Sequence, residues 1–195
     1  IFLAIPCGAF SPTARFQKAK DQAKRLERAR RLVTACLPLI EAAIAAGAQV
    51  IFENPAHSTL WKTPEFLQIA DLLESVGSPL GRYVHDRCAY TKGNASDMYK
   101  KPTALYSACP RAWMAELCQR CHHRKPTKGW GDTGRAHPDL LGRRSDGTPV
   151  TRSTARYTAG QAKAMAELVM HIHTVHCMDL ANDAYIRHWR AKPAQ

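Results

Sequence analysis

The sequence predicts an α/β domain: a mostly parallel sheet with flanking helices and an irregular Cys/His-rich insertion. Three observations predict it. Two short apolar runs, Ile1–Ile5 and Val50–Phe52, are separated by a helix-length stretch with helical periodicity. The order strand, helix, strand, helix, strand then continues to about residue 107, as parallel pairing requires. From Cys109 to Arg156 the periodicity gives way to His, Cys, Gly, Pro and Arg. At 195 residues and 45% hydrophobic, the chain has enough apolar surface for one real core.

Residues 1–5 read as a buried strand that stops at the tight turn Pro6-Cys7-Gly8. A helical pattern follows from about Ala14 to Ala46. Its first half is basic and polar. Its second half spaces Leu32, Val33, Cys36, Leu37, Ile40, Ala43 and Ile44 three or four apart as one apolar stripe. Pro38 lacks an amide N–H and splits or kinks that stripe. Gly47 is the C-cap, and Gln49–Phe52 is the second buried strand. A loop from Pro55 to Thr63 leads to an amphipathic helix over 64–76 with Phe66, Ile69, Ala70, Leu73 and Val76 inward and Pro64 near its start. Arg82–Asp86 and Thr103–Ser107 are short strands joined through the polar segment Tyr90–Lys101. Gly160–His176 returns to helix, with Met165, Leu168, Val169, Ile172 and Val175 on one side. The implied organisation is an α/β part over 1–108, a basic Cys/His-rich segment over 109–152 and a C-terminal helix over 153–195 that packs back on the first part.

Charge is lopsided, with 28 Lys and Arg against 16 Asp and Glu, a net +12. Such an excess favours polyanions. It is concentrated in residues 15–31, which include Arg15, Lys18, Lys20 and Lys24, and in residues 111–156, which include Arg124, Lys125 and Lys128. Seven cysteines, an odd number, without a signal peptide point to a reduced intracellular setting, cytoplasmic, nucleoid or nuclear. No apolar stretch reaches membrane-spanning length. The chain opens on Ile1, inside a strand pattern, which reads as a fragment or a processed chain.

Cys7 and Glu53 follow neighbouring parallel strands, and ligands of open α/β sheets bind in the crevice outside the carboxyl ends of such strands. A thiol and a carboxyl there pair a nucleophile with an acid.

The motif order resembles the catalytic half of the DNA (cytosine-5) methyltransferase family, in the divergent form carried by phages. The residues that carry the resemblance are Ile5-Pro6-Cys7-Gly8-Ala9-Phe10-Ser11, then Glu53-Asn54-Pro55 where the family has Glu-Asn-Val. Cys88-Ala89-Tyr90 and Lys101-Pro102-Thr103-Ala104-Leu105-Tyr106 continue it, and Ala155-Arg156-Tyr157 with its helix is similar to the family's last helix. The resemblance implies a partial Rossmann-like methyltransferase fold that acts on double-stranded DNA with the target base flipped out. It implies Cys7 as the thiolate that adds to carbon 6 of cytosine and Glu53 as the acid at ring nitrogen 3. Asn54 orients Glu53 or the loop backbone, and Lys101 stands in for a catalytic basic residue. Pro6, Ser11 and Pro55 lie against S-adenosylmethionine, the methyl donor. The basic run after Cys7 corresponds to the family's mobile DNA-closing loop. Three departures stand out. The family's glycine-rich cofactor loop precedes the Pro-Cys strand, so its place falls before Ile1. The usual Gln-x-Arg-x-Arg is missing, with Lys100, Lys101 and Thr103 nearest to it. Thr91 follows Tyr90 in place of Gly.

Cys118-x-x-Cys121 has the bite of a tetrahedral zinc site, and Cys109 with His137, His122 or His123 completes a four-ligand set. His171, His173, His176 and Cys177 form a second cluster, read as the polar edge of a helix. Gly129–Gly134 satisfies G-x-G-x-x-G without the strand and helix that give this pattern meaning. Two other functions compete. One is a non-catalytic, zinc-stapled nucleic-acid-binding module of the same fold. The other, a zinc cytidine deaminase, needs His two residues before Glu53 and a second Cys three after Cys7; Ile51 and Phe10 stand there.

Overall fold

The computed structural model describes residues 1–11, 14, 19–90, 101–109, 111–114, 117–121 and 158–190, with the side chains of 176 and 180–190 outside that description. The elements are β1 (Phe2–Ala4), α1 (Ala19–Ala35), α2 (Leu37–Ala45), β2 (Ile51–Pro55), α3 (Pro64–Ser75), β3 (Gly81–Asp86), β4 (Pro102–Ser107), α4 (Arg111–Met114) and α5 (Ala159–Arg190). Short 3₁₀ turns cover Thr59–Lys62 and Arg87–Tyr90.

The predicted break in the long helix falls where Pro38 requires it. α1 ends at Ala35, and α2 begins after Cys36 with the proline in its first turn, where a missing N–H breaks no helical bond. Gly47 takes a φ of 64°, the left-handed conformation expected of a residue just past a helix end. Thr63 caps α3, its hydroxyl accepting from the Phe66 N–H at 3.3 Å. Val76, expected inward, lies past the end of α3 and is exposed.

Four strands form one open sheet in the order β1-β2-β4-β3. β1 and β2 are parallel, while β4 runs antiparallel to both β2 and β3. The expected mostly parallel sheet is therefore corrected to a mixed one. A parallel crossover needs a covering helix or a similarly long connection, and the polar stretch between β3 and β4 has no apolar stripe to supply one. The chain instead returns as an adjacent antiparallel strand. Because β4 alone is reversed, β1, β2 and β3 point the same way, and their carboxyl ends share one edge with the amino end of β4.

Alternation along β2 divides the core into two layers. Phe52 packs with Ile5, Val33, Ile40, Phe66 and Ile69 under α1, α2 and α3. Ile51 and Leu105 pack on the opposite face with Met114, Met165 and Leu168 under α4 and α5. The sheet is thus covered on both sides, which explains why β2 is apolar without interruption until Glu53. α5 is longer than its predicted span, and its Val169 is exposed while Met165 and Leu168 are buried. No described helix is long and apolar enough to cross a membrane.

Candidate functional site

The shared edge collects the residues singled out by sequence. The register pairs Ala4 of β1 with Glu53 of β2, so Pro6 and Cys7 leave β1 just beyond the level of the carboxylate. Glu53, Asn54 and Pro55 are the last three residues of β2 itself, where the sequence placed them after the strand. Lys101 immediately precedes β4 on the same edge, and its carbonyl accepts from the Arg87 N–H at 3.2 Å. Cys7 is half-buried and Glu53 is 8% exposed.

Two ties lash the Cys7 turn to the loop that follows Glu53. Asn54 is fully buried, and its Nδ2 donates to the Ile5 carbonyl at 2.6 Å. The Phe10 carbonyl accepts from both the N–H and the hydroxyl of Thr59, at 2.9 and 3.1 Å. Phe10 itself is anchored in the core with no exposure. The Thr59–Lys62 turn is held from the other side, where Trp61 Nε1 donates to the Pro55 carbonyl at 2.9 Å. Trp61 packs against Phe66 and Tyr106 at centroid separations of 5.0 and 4.4 Å. Thr59, Phe10 and Trp61 were missed as site residues. Their signal in the sequence is two polar-and-aromatic loops that each follow a strand.

A buried polar group at the end of β3 was also missed. His85, Asp86 and Arg87 are almost wholly buried. Asp86 Oδ2 accepts from the Cys121 N–H at 2.9 Å and from Arg120 Nε at 3.1 Å, while its own N–H donates to the Gln119 carbonyl. One carboxylate therefore docks segment 117–121 on the sheet edge. His85 Nε2 lies 3.3 Å from Gln161 Nε2. Gln161 Oε1 accepts from the Thr158 N–H, which fixes its amide as a donor toward the imidazole. Nε2 is then the acceptor and the ring proton sits on Nδ1. Burial pulls the His85 pKa down to about 4, against the neighbouring Asp86 carboxylate, which raises it.

Ser11 lies on the turn after Cys7, where its carbonyl accepts from the Ala14 N–H at 2.9 Å. Lys20 and Lys24 stand exposed on α1. Arg15, Lys18, Lys100, Arg124, Lys125, Lys128, His122, His123, His137, Gly129–Gly134 and Ala155–Tyr157 lie outside the described residues. Cys109 follows the far end of β4. Its N–H donates to Ser107 Oγ and its thiol meets Gln49 just before β2. Cys121 sits at the opposite edge beside Asp86. The length of β4, roughly 20 Å at ~3.3 Å per residue, separates the two. A zinc ion with ~2.3 Å bonds to sulfur does not bridge them. Among the described residues no cluster of three or more His, Cys, Asp or Glu is arranged for a metal. Cys121 instead hydrogen-bonds the Cys88 thiol, which burial first and then this neighbour push up to about 12. On α5, Cys177 lies beside His173 at 3.7 Å on the exposed face.

Compared with protein-family models, curated proteins and solved structures, the chain matches none.

Proposed function

We propose that the edge holding Cys7 and Glu53 is the catalytic crevice of a cytosine-5 DNA methyltransferase-like protein. The observation that carries this reading is the pairing of β1 and β2. The two strands are adjacent, parallel and in a register that brings the Cys7 turn and Glu53 to one edge, with Asn54 tying one to the other. In this reading the fold is part of a Rossmann-like methyltransferase domain.

Carbon 5 of cytosine is a poor nucleophile, so the ring must first be activated. The Cys7 thiolate forms a bond to carbon 6, and the carbon 5–carbon 6 π pair moves onto carbon 5. A proton shared from the Glu53 carboxyl to nitrogen 3 takes up the charge that develops on the ring. The product is an enamine with a nucleophilic carbon 5. The target base leaves the helix to reach this edge. Asn54 and Thr59 hold the two reacting groups in register. S-adenosylmethionine supplies the methyl group when bound. Its fit here rests on Asn54 Oδ1, a buried acceptor with no partner that a ligand N–H would satisfy, with Pro55 next to Asn54 in the chain, Pro6 next to the Ile5 whose carbonyl Asn54 holds, and Ser11 on the turn after Cys7. Lys101 brings positive charge to the same edge, and Lys20 and Lys24 give α1 an exposed basic face for phosphates.

The test is covalent capture by a duplex carrying 5-fluorocytosine, with S-adenosylmethionine present. A protein–DNA species that survives denaturation and maps to Cys7 supports the proposal. Exchange of the carbon-5 hydrogen for solvent deuterium reports the same adduct without any methyl donor. Cys7→Ala should abolish both signals, and Glu53→Gln should slow exchange by about 10²–10⁴. No adduct and no exchange in the wild type would leave a non-catalytic nucleic-acid-binding module.

A further inference from the structure

We infer that Cys88 and Cys121 form a site of oxidative modification, in which a peroxide oxidises Cys121 and Cys88 then closes a disulfide with it. Cys88 belongs to the 3₁₀ turn Arg87–Tyr90 that follows β3, and Cys121 ends segment 117–121. The two thiols share a hydrogen bond, although they lie far apart in the chain. Cys88 has no exposure, whereas Cys121 is half-buried and open to a small solute. One sulfur is therefore placed to meet an oxidant and the other to resolve the product.

The pair is held together before any oxidant arrives. Asp86 N–H donates to the Gln119 carbonyl and Asp86 Oδ2 accepts from the Cys121 N–H, both at 2.9 Å. Beyond Cys88, the Tyr90 hydroxyl donates to the Leu117 carbonyl. These ties bracket Cys88 along its own turn and fix the Cys121 backbone beside it. Rotation of the Cys121 side chain covers the remaining approach to the ~2.05 Å of a sulfur–sulfur bond. Cys118, the other cysteine of the C-x-x-C pattern, is placed differently. It lines the groove beside Tyr83 and packs on the layer under α4 and α5. Residues 118–121 form neither helix nor turn. A Cys118–Cys121 bond would require that stretch to fold back and surrender its ties to Asp86.

The chemistry takes two displacements. The Cys121 sulfur gives its proton to solvent and bonds to one peroxide oxygen. The oxygen–oxygen bond breaks, and the departing hydroxide takes up a proton as water, leaving Cys121 as a sulfenic acid. The Cys88 sulfur then bonds to the Cys121 sulfur, the sulfur–oxygen bond breaks, and the second hydroxide leaves with the Cys88 proton as water. Each sulfur loses one electron, and the peroxide gains both. Burial, with Cys121 beside it, pushes the Cys88 thiol up to about 12, which makes Cys88 a poor first target and sets the order. Contact between the two groups makes the second step intramolecular, and this offsets the scarcity of Cys88 thiolate. The new bond staples segment 117–121 to the turn against which Gly160 of α5 packs. It needs none of the chemistry proposed for Cys7.

The test treats the full chain with hydrogen peroxide, blocks the remaining thiols with N-ethylmaleimide under denaturing conditions, and maps the unreduced digest by mass spectrometry. A Cys88–Cys121 cross-linked peptide should dominate the map and vanish on treatment with dithiothreitol. Cys118→Ser should keep that peptide, and Cys121→Ser should lose it. Cys88→Ala should stop Cys121 at the sulfenic acid, which dimedone captures. In concentrated urea the pairing should scatter among the seven cysteines and the yield of this link should fall several-fold. Exposed Cys177 reports that enough oxidant was present. A wild type in which Cys177 is oxidised while Cys88 and Cys121 both remain thiols overturns the inference. So does a Cys118–Cys121 link in place of the expected one, or an equal yield in urea.

Discussion

Asn54 works as a strut because one side-chain amide satisfies a buried carbonyl on a neighbouring strand. Asn54→Ala removes that donor and leaves the Ile5 carbonyl unpaired, at a cost of about 1–3 kcal/mol. Asn54→Asp is the sharper probe, since it sets a carboxylate against the same carbonyl in a site with no exposure. Urea unfolding should rank the stabilities wild type, then Ala, then Asp. Equal stability of the two variants would show that the tie carries nothing. At this scale the sequence marked Cys7, Glu53 and Asn54, because a polar residue at the end of an apolar run stands out. It did not mark His85, Asp86 and Arg87. Three consecutive polar residues read as surface, and only partners far along the chain, Gln161 and the 117–121 segment, bury them.

Among the elements, the start of α5 shows how local signals and tertiary contact combine. Thr158 and Gln161 form a reciprocal capping box. Gln161 N–H donates to Thr158 Oγ1 and Thr158 N–H donates to Gln161 Oε1, both at 3.1 Å. Thr158→Ala should cost about 1 kcal/mol. Gly160 matters for a different reason: a Cβ there would collide with the Tyr90 carbonyl of the 3₁₀ turn. Gly160→Ala should therefore push α5 off that turn and cost about 1–3 kcal/mol, although alanine is the better helix former. Thermal melts of the two variants check both values, and a Gly160→Ala protein more stable than wild type would refute the close approach. Periodicity and proline chemistry placed α1, α2 and α3 within a few residues. The reversal of β4 was not accessible that way. Strand pairing joins residues distant in sequence, and an apolar run looks the same whichever way its partner points. Nor does the spacing of the cysteines say that β4 carries Cys109 to the far end of the sheet from Cys121.

For the molecule as a whole, His85 links folding to proton concentration. Its pKa is about 4 in the fold against an ordinary value of 6.5. Between those values the unfolded chain binds the proton and the native state does not, so stability rises with pH through that window. It is fully present above pH 6.5 and declines as pH falls toward 4, by at most about 3 kcal/mol. Melting temperatures compared between pH 7 and pH 5 should show this loss, and His85→Gln should flatten the difference. Retention of the full slope in that variant would assign the titration elsewhere. The buried imidazole belongs to the layer under α4 and α5, so acid should release α5 before the helices on the opposite face, in order of hydrogen exchange.

The Phe10–Thr59 knot has a consequence for how a ligand is met. It joins two connections that leave different strands, so the stretch after Pro6 cannot swing away without unseating an aromatic ring from the interior. The Cys7 turn and the residues after Glu53 are consequently mounted on one jaw, spaced during folding. Under the proposed function a flipped base would meet that jaw as it is folded, and discrimination would fall to the shape of the visitor.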